Sequence, residues 1–149
     1  MDNKINVFLL EKKYDFLKFV DIFKLYSDND LSSNDLKSFE NKVFDKDSII
    51  TIILAEVSNK IVWFMLLIDS YSTSHFKDIL YLQDLYVDSS FRNNWVATKL
   101  FSYLEDYCKV NWIPRIDWST HRENEIAQKF YKNYKVDNNW IYYKMNIKN

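Results

Sequence analysis

The sequence predicts a mixed α/β fold in which a central β-sheet is covered by helices on both faces. Three observations support this prediction. Residues 61–68 form a nearly continuous apolar run, which is typical of a strand buried on both faces. Residues 48–57 and 60–69 are apolar, β-branched runs joined by a short polar turn, a pattern that predicts an antiparallel hairpin. Elsewhere, strand-like and helix-like periodicities alternate, as in a sheet layered with helices.

The N-terminal part of the chain predicts one strand followed by two helices. Residues 4–10 alternate weakly, as a first strand does, and residues 14–26 place their aromatic side chains at helical spacing. Ser32 and Asp35 are spaced as in a capping box, which predicts that a second helix begins there and runs to about residue 44.

The C-terminal part predicts three further strands and two helices. A loop at residues 71–76 precedes a strand at 79–87, and a helix then runs from 94 to 110, where Pro114 limits any continuation. The predicted elements beyond it are a strand at 115–120, a helix at 124–133 that Asn124 caps, and a last strand at 140–147.

Length and composition favour one globular domain of 149 residues, of which 48% are hydrophobic. With 20 Lys and Arg against 21 Asp and Glu, the charge pattern predicts neither a nucleic-acid partner nor a membrane surface. The single Cys108 is expected in the core or beside it, and it favours a reducing, cytoplasmic compartment. The chain has no glycine, so turns must use residues such as Ser58 and Asn59.

Residues 81–100 read YLQDLYVDSSFRNNWVATKL, which predicts a strand, a polar turn and the start of a helix. The segment resembles the acyl-CoA signature of the GNAT superfamily of N-acetyltransferases, Arg-x-x-Gly-x-Gly/Ala. Arg92 and Ala97 match the pattern, and Trp95 stands at the central glycine. The blocks around residues 59–87, 115–131 and 138–145 are most similar to diamine and polyamine acetyltransferases of that superfamily. The resemblance implies a GNAT-like, mostly antiparallel sheet.

The resemblance also implies which residues form the site. The backbone of Leu85 and Val87 would pair with the pantetheine arm of coenzyme A, and Tyr131 would be the general acid that protonates its sulfur. Gln83 stands where the polyamine enzymes carry an acidic residue, and because an amide cannot accept a proton, His121 or a water relay stays open as the base. The remaining cofactor-binding residues would be Arg92, Asn93, Asn94, Trp95, Val96, Ala97, Thr98 and Asn124.

The resemblance therefore implies an acetyl-CoA-dependent N-acetyltransferase, active on a primary amine of a small molecule such as a polyamine, a diamine or a lysine-like compound. It also implies a homodimer. Trp63 and Trp112, like Trp95, stand where related sequences commonly show glycine. The alternative hypothesis is a pseudoenzyme with the same fold that serves as a binding or dimerisation module.

Overall fold

The structure, a computed structural model, describes residues 4–27, 31–92 and 94–147, and at positions 94 and 95 it describes the backbone alone. The chain divides into two compact units, Met1–Asp117 and Trp118–Asn149. The prediction of a single domain stays a prediction.

The described residues form five strands, four α-helices and a short 3₁₀ turn. In chain order they are β1 Asn6–Leu9, α1 Lys13–Tyr26, α2 Ser33–Val43, β2 Ile50–Val57, β3 Lys60–Ser72, β4 Lys77–Val87, the 3₁₀ turn Ser89–Phe91, α3 Asn94–Val110, β5 Ile116–Trp118 and α4 Glu125–Tyr131.

The strands form one sheet in the order β1-β2-β3-β4-β5. The pairs β1/β2, β2/β3 and β3/β4 are all antiparallel, and the register places Leu54 opposite Phe64 and Phe64 opposite Tyr86. The predicted fold class, a mostly antiparallel mixed sheet with helices, is confirmed.

The core lies around β3, the predicted central strand. On one face, Phe64 and Leu66 of β3 pack with Phe16, Phe19 and Ile22 of α1. Because side chains alternate along a strand, the other face carries residues 63, 65 and 67, which are also fully buried. We infer that α3 covers this second face, since its own buried residues are Val96, Leu100, Phe101, Leu104 and Cys108.

Local signals read from the sequence are confirmed at two element boundaries. Asp35 N–H donates to the Ser32 hydroxyl, and Ser32 N–H donates to the Asp35 carboxylate, so the capping box starts α2 as predicted. The β2/β3 turn places Ser58 and Asn59 at φ values of 50° and 65°. Two consecutive residues in the left-handed region suit a tight hairpin turn, and asparagine tolerates that region better than most residues.

The predicted last strand is wrong, because residues 140–147 form no strand in the described chain. A strand needs a second strand to pair its backbone, and the described part of the second unit offers none beyond the end of β5. The loop predicted at 71–76 is also shorter than expected, since β3 continues to Ser72 and β4 starts at Lys77. The apolar side chains of the C-terminal segment are exposed at Trp140, Ile141, Tyr142, Tyr143, Met145 and Ile147.

Candidate active site

The junction between β4 and α3 is a strand end followed by the start of a long helix. β4 ends at Val87, the 3₁₀ turn follows, and α3 begins at Asn94. The first N–H groups of a helix have no partner within the helix, and the helix dipole adds partial positive charge there. Such a helix start favours an anionic ligand, phosphate above all.

Asp88 fixes the turn that leads into this helix. Its buried carboxylate accepts a hydrogen bond of 2.9 Å from Ser90 N–H and forms an ion pair of 2.9 Å with Lys60 Nζ. The Lys60 hydrogen bond and the Ser90 amide hold the pKa of Asp88 below its usual value. The Lys60 cation thus compensates a negative charge that would otherwise oppose an anion at the start of α3.

Arg92 carries an exposed, positively charged side chain, and it is the last residue that the structure describes before position 94. Its Nε donates to the carbonyl of Val87 over 3.2 Å, and its guanidinium lies 5.9 Å from the ring centroid of Tyr86. These contacts hold the guanidinium beside the end of β4. A phosphate at the start of α3 would therefore meet a fixed positive charge.

The backbone of β4 next to this turn pairs with β3 on one side. Leu85 lies opposite Met65, and Val87 lies opposite Trp63. On the other side, β4 and β5 are joined by a hydrogen bond of 3.1 Å from Leu80 N–H to the Arg115 carbonyl, five residues before Leu85. The predicted contacts of the Leu85 and Val87 backbone with the cofactor stay predictions.

The predicted cofactor-binding residues on α3 are described in part. Val96 is buried, Ala97 is half-buried and Thr98 is exposed. Asn93 and the side chains of Asn94 and Trp95 lie outside the described residues, so their predicted roles stay predictions. The start of α3 and the exposed Arg92 are the described groups that could hold the diphosphate of coenzyme A, and that role stays a prediction.

An irregularity in β4 moves Gln83 out of the regular pairing. Leu82 pairs with Leu67 and Asp84 pairs with Leu66, so Gln83 has no residue opposite it on β3 and its side chain is exposed. Simple alternation predicts that Gln83 and Leu85 share a face. The register shift puts Leu82 and Leu85 on one face, and Asp84 lies on the face opposite Leu85, as alternation also predicts.

Asp84 is a residue of the site that sequence reasoning did not assign. Directly opposite residues share a face, so Asp84 lies on the face of Leu66 that α1 covers. Its Oδ1 accepts a hydrogen bond of 2.5 Å from the Tyr26 hydroxyl at the end of α1. Burial and the Asp84 carboxylate raise the pKa of Tyr26 to about 12, so the hydroxyl stays a donor at neutral pH. The bulge, which no sequence pattern predicts, is what places Asp84 on the face of Leu66.

The second unit carries the other two predicted site residues. Asn124 Oδ1 accepts from Ala127 N–H over 3.1 Å, which confirms Asn124 as the cap of α4. Tyr131 is the last residue of α4, and its ring packs against Trp118 with a centroid distance of 5.3 Å. Burial raises the pKa of Tyr131, so its hydroxyl is protonated at neutral pH.

Two tryptophans at predicted glycine positions have contrasting environments. The Trp63 side chain is fully buried, and its indole N–H has no acceptor among the described residues. Trp112 is 89% exposed and has a φ of 58°, a left-handed conformation that favours glycine. The backbone at Trp112 therefore has the conformation of a glycine position.

Solved structures of acetyltransferases share this fold. A ribosomal-protein-alanine N-acetyltransferase from Brucella melitensis biovar Abortus 2308 superposes with a TM-score of 0.78 at 18% identity, covering 97% of this chain and 100% of that one. An aminoglycoside acetyltransferase from an uncultured soil metagenomic sample, in complex with sisomicin, gives a TM-score of 0.83 at 16% identity and covers 99% of both chains.

The aminoglycoside acetyltransferase AAC(6')-Iy, solved with a bisubstrate analogue of coenzyme A, gives a TM-score of 0.77 at 15% identity. That match covers 97% of this chain and 99% of the other. None of the described helices combines the length and apolar character that a membrane span requires.

The family model of the GNAT acetyltransferases matches residues 16–134, which include β4, the turn and α3. The enzyme class and the cofactor, acetyl-CoA, follow from that match. The chain belongs to the GNAT family of acetyltransferases.

Proposed function

We propose that this enzyme transfers the acetyl group of acetyl-CoA to a primary amine of a small molecule, with polyamines, diamines and lysine-like compounds as the first candidates. The observation that carries the proposal is the β4–α3 junction, where the guanidinium of Arg92 is held at the Val87 carbonyl beside the start of α3. This arrangement supports diphosphate binding by Arg92 and the amides of residues 93–98.

The other predicted site residues would bind the rest of the cofactor and move the protons. In the proposal, the backbone of Leu85 and Val87 pairs with the pantetheine arm, and Asn124 bonds its amide groups. Tyr131, at the end of α4, donates the proton that the departing thiolate needs. Gln83, exposed at the bulge, is a polar contact for the acceptor, and His121 or a water relay accepts the amine proton.

Two further parts of the proposal concern the assembly and its location. We propose a homodimer, and the exposed apolar side chains of residues 140–147 support it because apolar surface favours association. We also propose a cytoplasmic location, which the free thiol of Cys108 supports because cysteines stay reduced in that compartment.

The test is acetyl-CoA binding by isothermal titration calorimetry, followed by an assay of free thiol release with diamines, spermidine, lysine and an aminoglycoside. Removing the charged contact in Arg92→Ala should weaken acetyl-CoA binding about tenfold, because a hydrogen bond to a charged group contributes about 1.5–3 kcal/mol and Arg92 is exposed.

The matched control is Arg122→Ala, which removes an exposed arginine from a polar loop of the second unit. It should bind acetyl-CoA as the wild type does. If Arg92→Ala and Arg122→Ala bind equally well, the proposed cofactor site is wrong. A folded wild-type protein that binds acetyl-CoA without releasing thiol from any amine would favour the pseudoenzyme hypothesis.

A further inference from the structure

Asp15 carries a buried carboxylate that has no hydrogen bond and no ion pair within residues 4–27, 31–92 and 94–147. Asp15 and Asp88 are each 6% exposed, but the Asp88 carboxylate is paired with Lys60 and bonded by Ser90 N–H. Asp15 lies in the first turn of α1, where the helix dipole offsets part of the cost of burying its charge. A buried carboxylate without a partner is still unfavourable, so this position is a candidate for binding a ligand that supplies the partner.

The two lysines that lie beside this carboxylate contact other groups. Lys18 Nζ donates to Glu56 Oε2 over 2.9 Å and to Asn59 Oδ1 over 2.7 Å. Lys12 Nζ lies 5.7 Å from the centroid of the Tyr14 ring. Both ammonium groups are therefore held away from the buried carboxylate, whose two oxygens stay open to a ligand.

The carboxylate lines a cavity of about 460 Å³ at the β1 edge of the sheet, between β1, the start of α1 and α3. The volume is within the range of about 300–1,000 Å³ that is typical of small-molecule sites. Its lining includes Phe8, Glu11, Asp15, Lys18, Glu56 and Tyr103. In the strand order, β1 and β4 are separated by three strand spacings of about 4.8 Å each. The cavity is therefore a different site from the proposed cofactor site at the end of β4.

The other walls of the cavity suit an organic cation. Phe8 on β1 and Tyr103 on α3 contribute aromatic rings, which attract cations through their faces and cover apolar atoms. Glu11 adds a second, exposed carboxylate, for which the described part of the chain shows no ion pair. Burial and the negative charge of Glu11 raise the pKa of Tyr103, because this carboxylate lies near the Tyr103 hydroxyl. The cavity thus combines negative charge with ring surface.

We propose that this cavity binds a small alkylguanidinium ion, whose planar head pairs with both oxygens of Asp15 and whose alkyl chain lies between Phe8 and Tyr103. A guanidinium group matches a carboxylate through two parallel hydrogen bonds and stacks on aromatic rings, whereas an ammonium group acts as a point charge. Asp15 can accept both bonds because neither of its oxygens has another donor. The site is separate from acetyl transfer, so the inference does not depend on the proposed function.

The probe is propylguanidinium chloride, titrated at millimolar concentration into the ¹⁵N-labelled protein without cofactor and followed by NMR. It should shift the amide signals of Phe8, Asp15 and Tyr103, whereas N-propylurea, its neutral analogue of the same shape, should leave them unchanged. Propylammonium should bind more weakly, because it cannot pair with both carboxylate oxygens.

Two substitutions test the residues. Asp15→Asn should weaken propylguanidinium binding at least about tenfold, because charged hydrogen bonds are lost. Tyr103→Leu should weaken it about threefold, because a ring face is lost while apolar volume is kept. Asp21→Asn is the matched control, since it removes an exposed carboxylate from the same helix, and it should bind propylguanidinium as the wild type does.

A thermal melt checks that each variant is folded. If Asp15→Asn is unfolded, Tyr103→Leu and the comparison with N-propylurea decide the matter. Equal binding by the wild type and the folded Asp15→Asn protein would overturn the proposal. Equal shifts from N-propylurea, or tighter binding of propylammonium, would also overturn it.

Discussion

Trp112 is expected to weaken the protein, and replacing it with glycine should raise stability. The end of α3 has the hydrogen bonds of a Schellman motif: Ile113 N–H donates to the Cys108 carbonyl over 2.9 Å, and Trp112 N–H donates to the Lys109 carbonyl over 3.3 Å. In this motif the residue at the position of Trp112 is left-handed and is usually glycine. Its φ of 58° agrees with that geometry.

The size of the expected stabilisation follows from the backbone conformation and the exposure of Trp112. A side chain other than glycine in this conformation costs about 1–2 kcal/mol, because its Cβ approaches the following carbonyl. Trp112 is 89% exposed, so its indole contributes little burial that a substitution would lose. Glycine adds freedom to the unfolded chain, which offsets about 0.5–1 kcal/mol of the gain. The net expectation for Trp112→Gly is a stabilisation of about 0.5–1 kcal/mol.

A thermal melt by circular dichroism checks this expectation. For a chain of this size, 1 kcal/mol corresponds to a shift in Tm of about 2–4 °C, so Trp112→Gly should melt about 1–4 °C higher than the wild type. Trp112→Ala is the matched control, since it removes the indole and keeps Cβ, and it should melt within about 1 °C of the wild type. Equal Tm values for the glycine and alanine variants, or a lower Tm for glycine, would refute the backbone argument.

Two further predictions concern the proposed active site. Asp88→Asn should lower the free energy of unfolding by about 1–2 kcal/mol at pH 7, because the charge that pairs with Lys60 and strengthens the bond from Ser90 is lost. Since the folded-state pKa of Asp88 is lowered, its contribution is present above the unfolded pKa near 3.8 and is lost as the pH falls through the folded-state pKa. The free energy of unfolding in urea should therefore differ between the wild type and Asp88→Asn at pH 7 but not near pH 2. The control Asp47→Asn, at an exposed carboxylate, should match the wild type at both pH values. A difference between the wild type and Asp88→Asn that is the same at every pH would contradict the ion-pair account. Tyr131→Phe should lower kcat for acetyl transfer about a hundredfold with acetyl-CoA affinity unchanged, as expected for loss of a proton donor. The control Tyr134→Phe should keep the kcat of the wild type. A Tyr131→Phe enzyme with wild-type kcat would exclude Tyr131 as the general acid.

Much of the fold could be predicted because its signals are local. The capping box at Ser32 and Asp35 satisfies amides within one helical turn, and the turn at Ser58 and Asn59 depends only on the conformations those residues tolerate. The apolar run of β3 predicts a central strand, since a strand with apolar residues on both faces is covered on both sides. The predicted and observed bounds of the helix at 94–110 agree, because its helical spacing of apolar residues is also a local signal.

The sequence by itself determined the order of the elements from β1 to α4, because each depends on neighbours along the chain, and the resemblance to a family supplied the signature around Arg92. Only the tertiary structure decided which face Asp84 occupies and whether residues 140–147 form a strand. Both outcomes depend on pairing between distant segments: a one-residue bulge opposite Leu66 and Leu67 reverses the face of the side chains that follow, and an extended segment becomes a strand only when another edge accepts its backbone hydrogen bonds.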